Sequence, residues 1–223
     1  MGAGEDGGGR GQLRRFAAGS LDPQGPVADA IADLWWLMLG LGTAVFVVFA
    51  VLLALGLFTP PANDVKPDAR RRVGRWIVGG GVMMPVVVLV VVFGATVYAM
   101  RVMPATGPPD ALVVNIVGHQ WWYEIHYPEE GITAKDELHI PVGRPVALKL
   151  TSADVIHSFW VPALGGKMDM LPDGTNTLVL QADEPGEHHA KCAEFCGLRH
   201  ADMQLLVVAE PADRFAAWMA EQR

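Results

Sequence analysis

Twelve residues near the C-terminus carry the most legible chemistry in this chain: Cys192-Ala193-Glu194-Phe195-Cys196-Gly197-Leu198-Arg199-His200-Ala201-Asp202-Met203. Two thiols, an imidazole and a thioether follow one another at spacings of four, four and three. Together they form a soft donor set, suited to copper far better than to Mg²⁺ or Ca²⁺. A blue site for one copper ion uses a single Cys. Two thiolates in one loop can instead bridge two copper ions and let them share one unpaired electron, which points to electron transfer. Two alternatives stand beside this reading. A Cys pair four apart could close a disulfide on an extracellular loop. Structural zinc is the other, although zinc prefers Cys/His sets and Met is a poor ligand for it.

The rest of the chain must place this loop. Half of the 223 residues are hydrophobic, and the mean hydropathy is positive. Two runs account for that, residues 34–58 and 77–100, neither of which holds a charge. Each exceeds the roughly 20 residues that carry a helix across a bilayer. A buried core helix is the alternative for either run alone. Pro85 and Gly79-Gly80-Gly81 interrupt the second, where neighbours can re-satisfy the backbone and small residues let another helix approach. The second helix is therefore expected to lie against a partner. The linker 59–75 carries Lys66, Arg70, Arg71, Arg72 and Arg75, whereas only Arg101 follows the second run before Lys135. This asymmetry puts the linker in the cytoplasm and both termini outside. Trp35 and Trp36 suit an interfacial belt. Residues 1–30 are expected to be an external, largely disordered segment without a signal-peptide core, and 31–101 the transmembrane hairpin.

From 108 to 210 the pattern changes to short apolar stretches broken by Pro, Gly, Asp and Asn. Residues 112–117, 137–140, 146–150, 155–161, 177–181 and 205–208 read as strands, and so predict a β-sandwich or barrel. Residues 211–223 read as a short terminal helix and tail. Between Asp110 and Glu210 stand fifteen Asp or Glu and six Lys or Arg, a net of −9 in a chain whose total is −7. An acidic domain steers a basic partner. No nucleic-acid partner is expected of it, and the absence of C-x-x-C-H means that no c-type haem is attached to this chain.

The loop, read with His157-Ser158-Phe159-Trp160-Val161-Pro162 some 35 residues upstream, resembles subunit II of the haem–copper cytochrome c oxidases. Two helices before an external β-domain match that family, as does Gly118-His119-Gln120-Trp121-Trp122-Tyr123. The resemblance covers residues 25–220 or so. It implies an all-β, cupredoxin-like barrel behind a two-helix transmembrane hairpin, and a binuclear copper centre (CuA). Cys192 and Cys196 would bridge the coppers, His157 and His200 would each bind one, and Met203 and the Glu194 carbonyl would be weak ligands. Trp121 would correspond to the family's exposed Trp through which cytochrome c delivers its electron. The Glu194 carboxylate, with Asp169 nearby, would face a Mg²⁺ or Mn²⁺ shared with subunit I. The implied partners are subunit I with its haem, subunit III, cytochrome c and the lipid bilayer. The implied activity is that of a proton-translocating cytochrome c oxidase in a bacterial inner membrane, with the copper domain periplasmic.

Quinol oxidase second subunits share the topology but lack the copper ligands, all of which have counterparts here. His119 and Gln120 are expected to be structural hydrogen-bond partners, and Arg199 a surface charge. Two departures stand out. Where the family has Tyr-x-Gly-x-Cys, this chain has His188-His189-Ala190-Lys191-Cys192, two histidines read as surface residues with rings on opposite faces. The family's Glu near the top of the second helix is missing before Pro85, which removes a proton-uptake carboxylate.

Overall fold

The computed structural model describes residues 21–59, 68–101, 103–104 and 106–223. Residues 1–15, expected to be disordered, and Lys66 of the linker lie outside them. The described chain forms two compact units, one of residues 33–101 and one that joins residues up to 32 with those from 102 onward.

Two helices of membrane-span length, Pro26–Phe58 and Arg70–Met100, make up the helical unit, apart from residues 26–32 of the first, which belong to the other unit. The first, α1 (Pro26–Phe58), begins eight residues before its apolar run. Charge ends an apolar run but not a helix. Pro26 is suited to a first helical turn, Asp29 favours its positive end, and Val27, Ala28 and Ala32 are buried in the other unit. Residues 26–30 are thus helical, contrary to the disordered segment expected there.

The second helix also starts early. It comprises α2 (Ala69–Val78), a π-helical turn (Gly79–Met83) and α3 (Met84–Met100). The arginines expected in a linker are helical from Arg70 to Arg75, because Arg is a good helix former and its charge is no barrier on an exposed face. Pro85 cannot donate a backbone hydrogen bond, and the wider turn just before it absorbs the mismatch. A methyl group added at Gly79, Gly80 or Gly81 would meet nothing within 4 Å. Among the described residues no partner covers that glycine face.

The other unit is a sandwich of two five-stranded sheets. Its strands are β1 (Leu112–His119), β2 (Trp122–Tyr127), β3 (Ile132–Lys135), β4 (Glu137–Pro141), β5 (Val146–Ser152), β6 (His157–Trp160), β7 (Met168–Met170), β8 (Asn176–Leu180), β9 (Gly186–Cys192) and β10 (Gln204–Glu210). One sheet runs β3-β2-β1-β5-β8 and the other β4-β10-β9-β6-β7. Alternation decides which face is inside: in β1 Leu112, Val114 and Ile116 are buried while Val113, Asn115 and Val117 are not. In β10 Leu205, Val207 and Ala209 point to the same core. The six expected strands are all present, with ends shifted by up to two residues. Strands β2, β3, β7 and β9 lacked an apolar run of their own, because short or polar strands are specified by their neighbours. The terminal helix α4 (Ala212–Glu221) docks through Phe215, Met219 and Trp218, whose indole stacks on buried His139 at 4.0 Å. His139 is held by Glu137 at 2.7 Å and Glu210 at 2.9 Å.

Candidate metal and electron-transfer site

β6 and β9 pair antiparallel, with Phe159 opposite Cys192. That register brings His157, the first residue of β6, to the end of β9 where the 192–203 loop begins. The loop then returns into β10 through a single 3₁₀ turn, His200–Asp202. Cys192 Sγ and Cys196 Sγ lie 3.7 Å apart, and both cysteines are free. His157 Nδ1 is 4.0 Å from Cys192 Sγ, and His200 Nδ1 is 3.6 Å from Cys196 Sγ. Each thiol also has one weaker donor beside it: the Glu194 carbonyl oxygen at 3.1 Å from Cys192 Sγ, and Met203 Sδ at 3.9 Å from Cys196 Sγ. The donor atoms of His157, Cys192 and Cys196 all fall within 4.8 Å of one another. His157 and Met203 are fully buried and the two cysteines nearly so, which keeps water from the sulfurs.

The arrangement has an approximate twofold logic: two facing thiols, each with one imidazole nitrogen and one weak donor. Soft donors in that number and pairing fit two soft metal ions better than one. They do not require a disulfide, since the sulfurs stand apart. Electrostatics prepare one of the thiols. Burial opposes ionisation of Cys192, but the His157 imidazole and the backbone at Glu194 and Ser158 outweigh it and bring the thiol down to about 6. Cys196 is pushed up to about 12 by burial and by the neighbouring Cys192 charge. The two thiols titrate as a pair, in which ionisation of one opposes ionisation of the other.

Two glycines set the walls. A Cβ at Gly118 would come within 2.9 Å of the His157 ring, so the imidazole lies directly on the β1 backbone. Gly197 adopts φ +124°, and a Cβ there would press on Gln120 Nε2 at 3.1 Å and on the Trp121 indole at 3.3 Å. Trp121 is therefore half-buried against the 192–203 loop rather than freely exposed, and its indole Nε1 has no hydrogen-bond partner among the described residues. Gln120 Nε2 donates to the Cys196 carbonyl at 2.7 Å, and His119 bonds Glu124 at 3.2 Å while stacking on Trp122 at 4.2 Å. Both are hydrogen-bond partners, as their types suggested. Arg199 is exposed and pairs with Asp202 at 3.3 Å.

Asp154 was not singled out in the sequence. Its carboxylate receives His157 Nε2 at 2.7 Å and the backbone N–H groups of Gln120 and Val155 at 2.7 and 2.6 Å. Burial works against its charge, yet these three bonds hold its carboxyl below the usual range. An acidic residue three positions before a candidate ligand His was the signal available. The carboxylates of Glu194 and Asp169 are both partly exposed and share one cation, the Lys167 ammonium, at 3.4 and 2.9 Å. A divalent ion could use both only if Lys167 withdrew. His188 is buried, not at the surface: on β9 it alternates with exposed His189 and points into the core with Ala190 and Cys192.

The comparisons agree with this architecture. The family model for "Cytochrome C oxidase subunit II, periplasmic domain" matches residues 130–210. Cytochrome c oxidase subunit 2 of Alkalihalophilus pseudofirmus is 34% identical over 207 residues, covering 90% of this chain and 60% of that protein. Quinol oxidase subunit 2 of Bacillus cereus is 32% identical over 210 residues, covering 90% of this chain and 72% of its own length. The periplasmic domain of subunit II of cytochrome oxidase (CoxB) of Bradyrhizobium japonicum superposes with a TM-score of 0.50 at 27% identity, over 52% of this chain and 95% of that one. The chain thus spans less than two thirds of the cytochrome c oxidase relative's length. The chain belongs to the family of cytochrome c oxidase subunit II, with the second subunits of quinol oxidases as close relatives.

Proposed function

We propose that this chain is the electron-receiving subunit of a respiratory cytochrome c oxidase, taking single electrons from cytochrome c and passing them to haem in subunit I, where O₂ is reduced to water. The observation that carries this reading is the paired donor set: two thiols 3.7 Å apart, each with its own imidazole Nδ1 and its own weak donor. Cys192, Cys196, His157 and His200, with Met203 and the Glu194 carbonyl as weaker donors, are the groups that would hold a pair of copper ions. When bound, a mixed-valence copper pair supplies one-electron transfer with little change of geometry. The chain's own part is to hold these donors rigidly, with His157, Met203 and both cysteines buried, so that little rearranges when the charge changes. Trp121, packed on Gly197, is the point at which the donor's electron would reach the loop.

The complete donor set favours cytochrome c over quinol as reductant, because the quinol branch lacks the copper ligands. Glu194 and Asp169 are the carboxylates this chain would offer to Mg²⁺ or Mn²⁺ at the subunit I boundary, in exchange for Lys167. The basic Arg70–Arg75 stretch supports a bacterial inner-membrane protein with that end cytoplasmic and the copper domain and both termini periplasmic. Subunit III would complete the assembly.

The test is electron paramagnetic resonance of the full chain, purified in detergent and loaded with copper. A seven-line mixed-valence signal is expected; a four-line mononuclear signal, or no copper uptake, sinks the proposal. Trp121→Ala should then slow reduction by cytochrome c while leaving the copper signal intact. Unchanged turnover would remove Trp121 from the path.

A further inference from the structure

Of the donors at the site, His157 alone comes from outside the 192–203 loop. Its ring is fixed from two sides. The Gly118 backbone lies against one face. Asp154 Oδ1 takes Nε2 at 2.7 Å, which leaves Nδ1 turned towards Cys192. The other carboxylate oxygen, Oδ2, accepts the backbone N–H of Gln120 at 2.7 Å. Gln120 is in turn bonded by its side chain to the Cys196 carbonyl, and the next residue is Trp121. The Gln120–Trp121 corner is therefore tied to both halves of the donor set, to Cys196 directly and to His157 through Asp154.

On the copper reading above, we propose that Asp154 is a positioning residue for electron transfer, which locks the His157 imidazole for its metal and links that ring by hydrogen bonds to the Gln120–Trp121 corner. A carboxylate that accepts one ring N–H selects the tautomer whose other nitrogen is free to ligate, and raises the basicity of that nitrogen. Its fixed negative charge also stabilises the more positive, oxidised metal pair and so lowers the reduction potential. The linking path is short: backbone N–H of Gln120, Oδ2, Cγ and Oδ1 of Asp154, then Nε2 of His157. Asp154 itself is held by the Val155 N–H, by Ser152 Oγ accepting the Asp154 N–H at 3.2 Å, and by the Ala153 N–H on the Gly118 carbonyl at 3.0 Å. A residue that merely turned the chain would not need one oxygen on a ligand and the other on a different strand end.

The experiment compares the intact, copper-loaded oxidase with its Asp154→Asn and Asp154→Glu variants. Asp154→Asn keeps the shape but offers one acceptor and no charge. It should retain the mixed-valence signal, shift the histidine hyperfine couplings, raise the midpoint potential, and lose copper to a chelator about ten- to a hundred-fold faster, the usual cost of removing such a support. Asp154→Glu restores charge and both acceptors and should move all three readouts back towards wild type. If Asp154→Asn leaves spectrum, potential and chelator resistance unchanged and alters only the KM for cytochrome c, Asp154 is a docking charge and the proposal falls. Should Asp154→Asn fail to accumulate, an Asp154→Glu protein with no recovery of signal or potential overturns it equally. A wild-type oxidase without the mixed-valence signal sinks the copper reading itself, whereas a normal wild type beside an indifferent Asp154→Asn sinks only the role of Asp154.

Discussion

At the scale of single residues, the site depends on side chains that are missing as much as on those present. Gly118 lies under the His157 ring, and a methyl group there would sit 2.9 Å from Cδ2 and 3.1 Å from Cγ. The backbone of β1 is clamped between β2 and β5 and has little room to yield. The ring must therefore shift from the position in which Nδ1 faces Cys192. Gly118→Ala is expected to lower copper affinity by about ten- to a hundred-fold, comparable to losing an outer support of a ligand, and to lower the melting temperature of the metal-free domain, as overpacking of a buried site does. Copper content after dialysis, beside a melting curve, checks both halves. The contrast between the thiols belongs to the same scale. Cys192 ionises easily beside His157, and Cys196 resists beside Cys192.

At the scale of elements, β9 is the strand that matters most. Its inner face presents His188, Ala190 and Cys192 in alternation. Cys192 belongs to the candidate metal site, whereas His188 is 6% exposed and, among the described residues, neither of its ring nitrogens has a hydrogen-bond partner. Burial, and then the neighbouring His189, hold the His188 imidazole below its ordinary value. The sign follows. The unfolded chain takes up a proton at His188 near the ordinary histidine value of about 6.5, while the folded chain refuses it until lower pH. The unfolded state then binds more protons, and folded-state stability falls as pH drops through and below that range. His188→Phe, which removes two unpaired polar atoms, is expected to raise the melting temperature and to flatten its decline between neutral and mildly acidic pH. Equal slopes for the variant and the parent would show that other groups govern acid sensitivity. The buried imidazole of His139 stands in contrast, with a carboxylate at each nitrogen and the α4 indole stacked on its face.

At the scale of the whole molecule, charge is unevenly divided. The segment from Asp110 to Glu210 is net −9, and the remainder of the chain is net +2. Asp202 lies on the 192–203 loop and Asp154 stands beside it, while Phe195 and Leu198 expose apolar surface upon it. A basic electron donor would be drawn in by the field and seated on the apolar tip. Electron uptake from a basic cytochrome c should therefore fall steeply with added salt, by about ten-fold or more where steering dominates. Stopped-flow rates across an ionic-strength series measure this, and a flat series would mean that steering plays no part.

Sequence alone determined the chemistry of the loop, the two long apolar helices and the all-β class of the outer domain. Each is written locally: donor atoms recur at short spacings, apolar runs need no partner to be recognised, and six strands carry their own hydrophobic signal. The ends of the helices were misplaced, since an uncharged run and a hydrogen-bonded helix are different things. Pro26 and Arg70–Arg75 belong to helices whose starts the charge pattern placed too late. Only the tertiary structure decided what lies across from what. The β6–β9 register put His157 opposite a loop 35 residues away, the Gly118 backbone became the floor of an imidazole, and Asp154 met both Gln120 and His157. The same pairing turned His188 into the core. These facts depend on contacts between residues far apart in the chain, whose energies no local window contains.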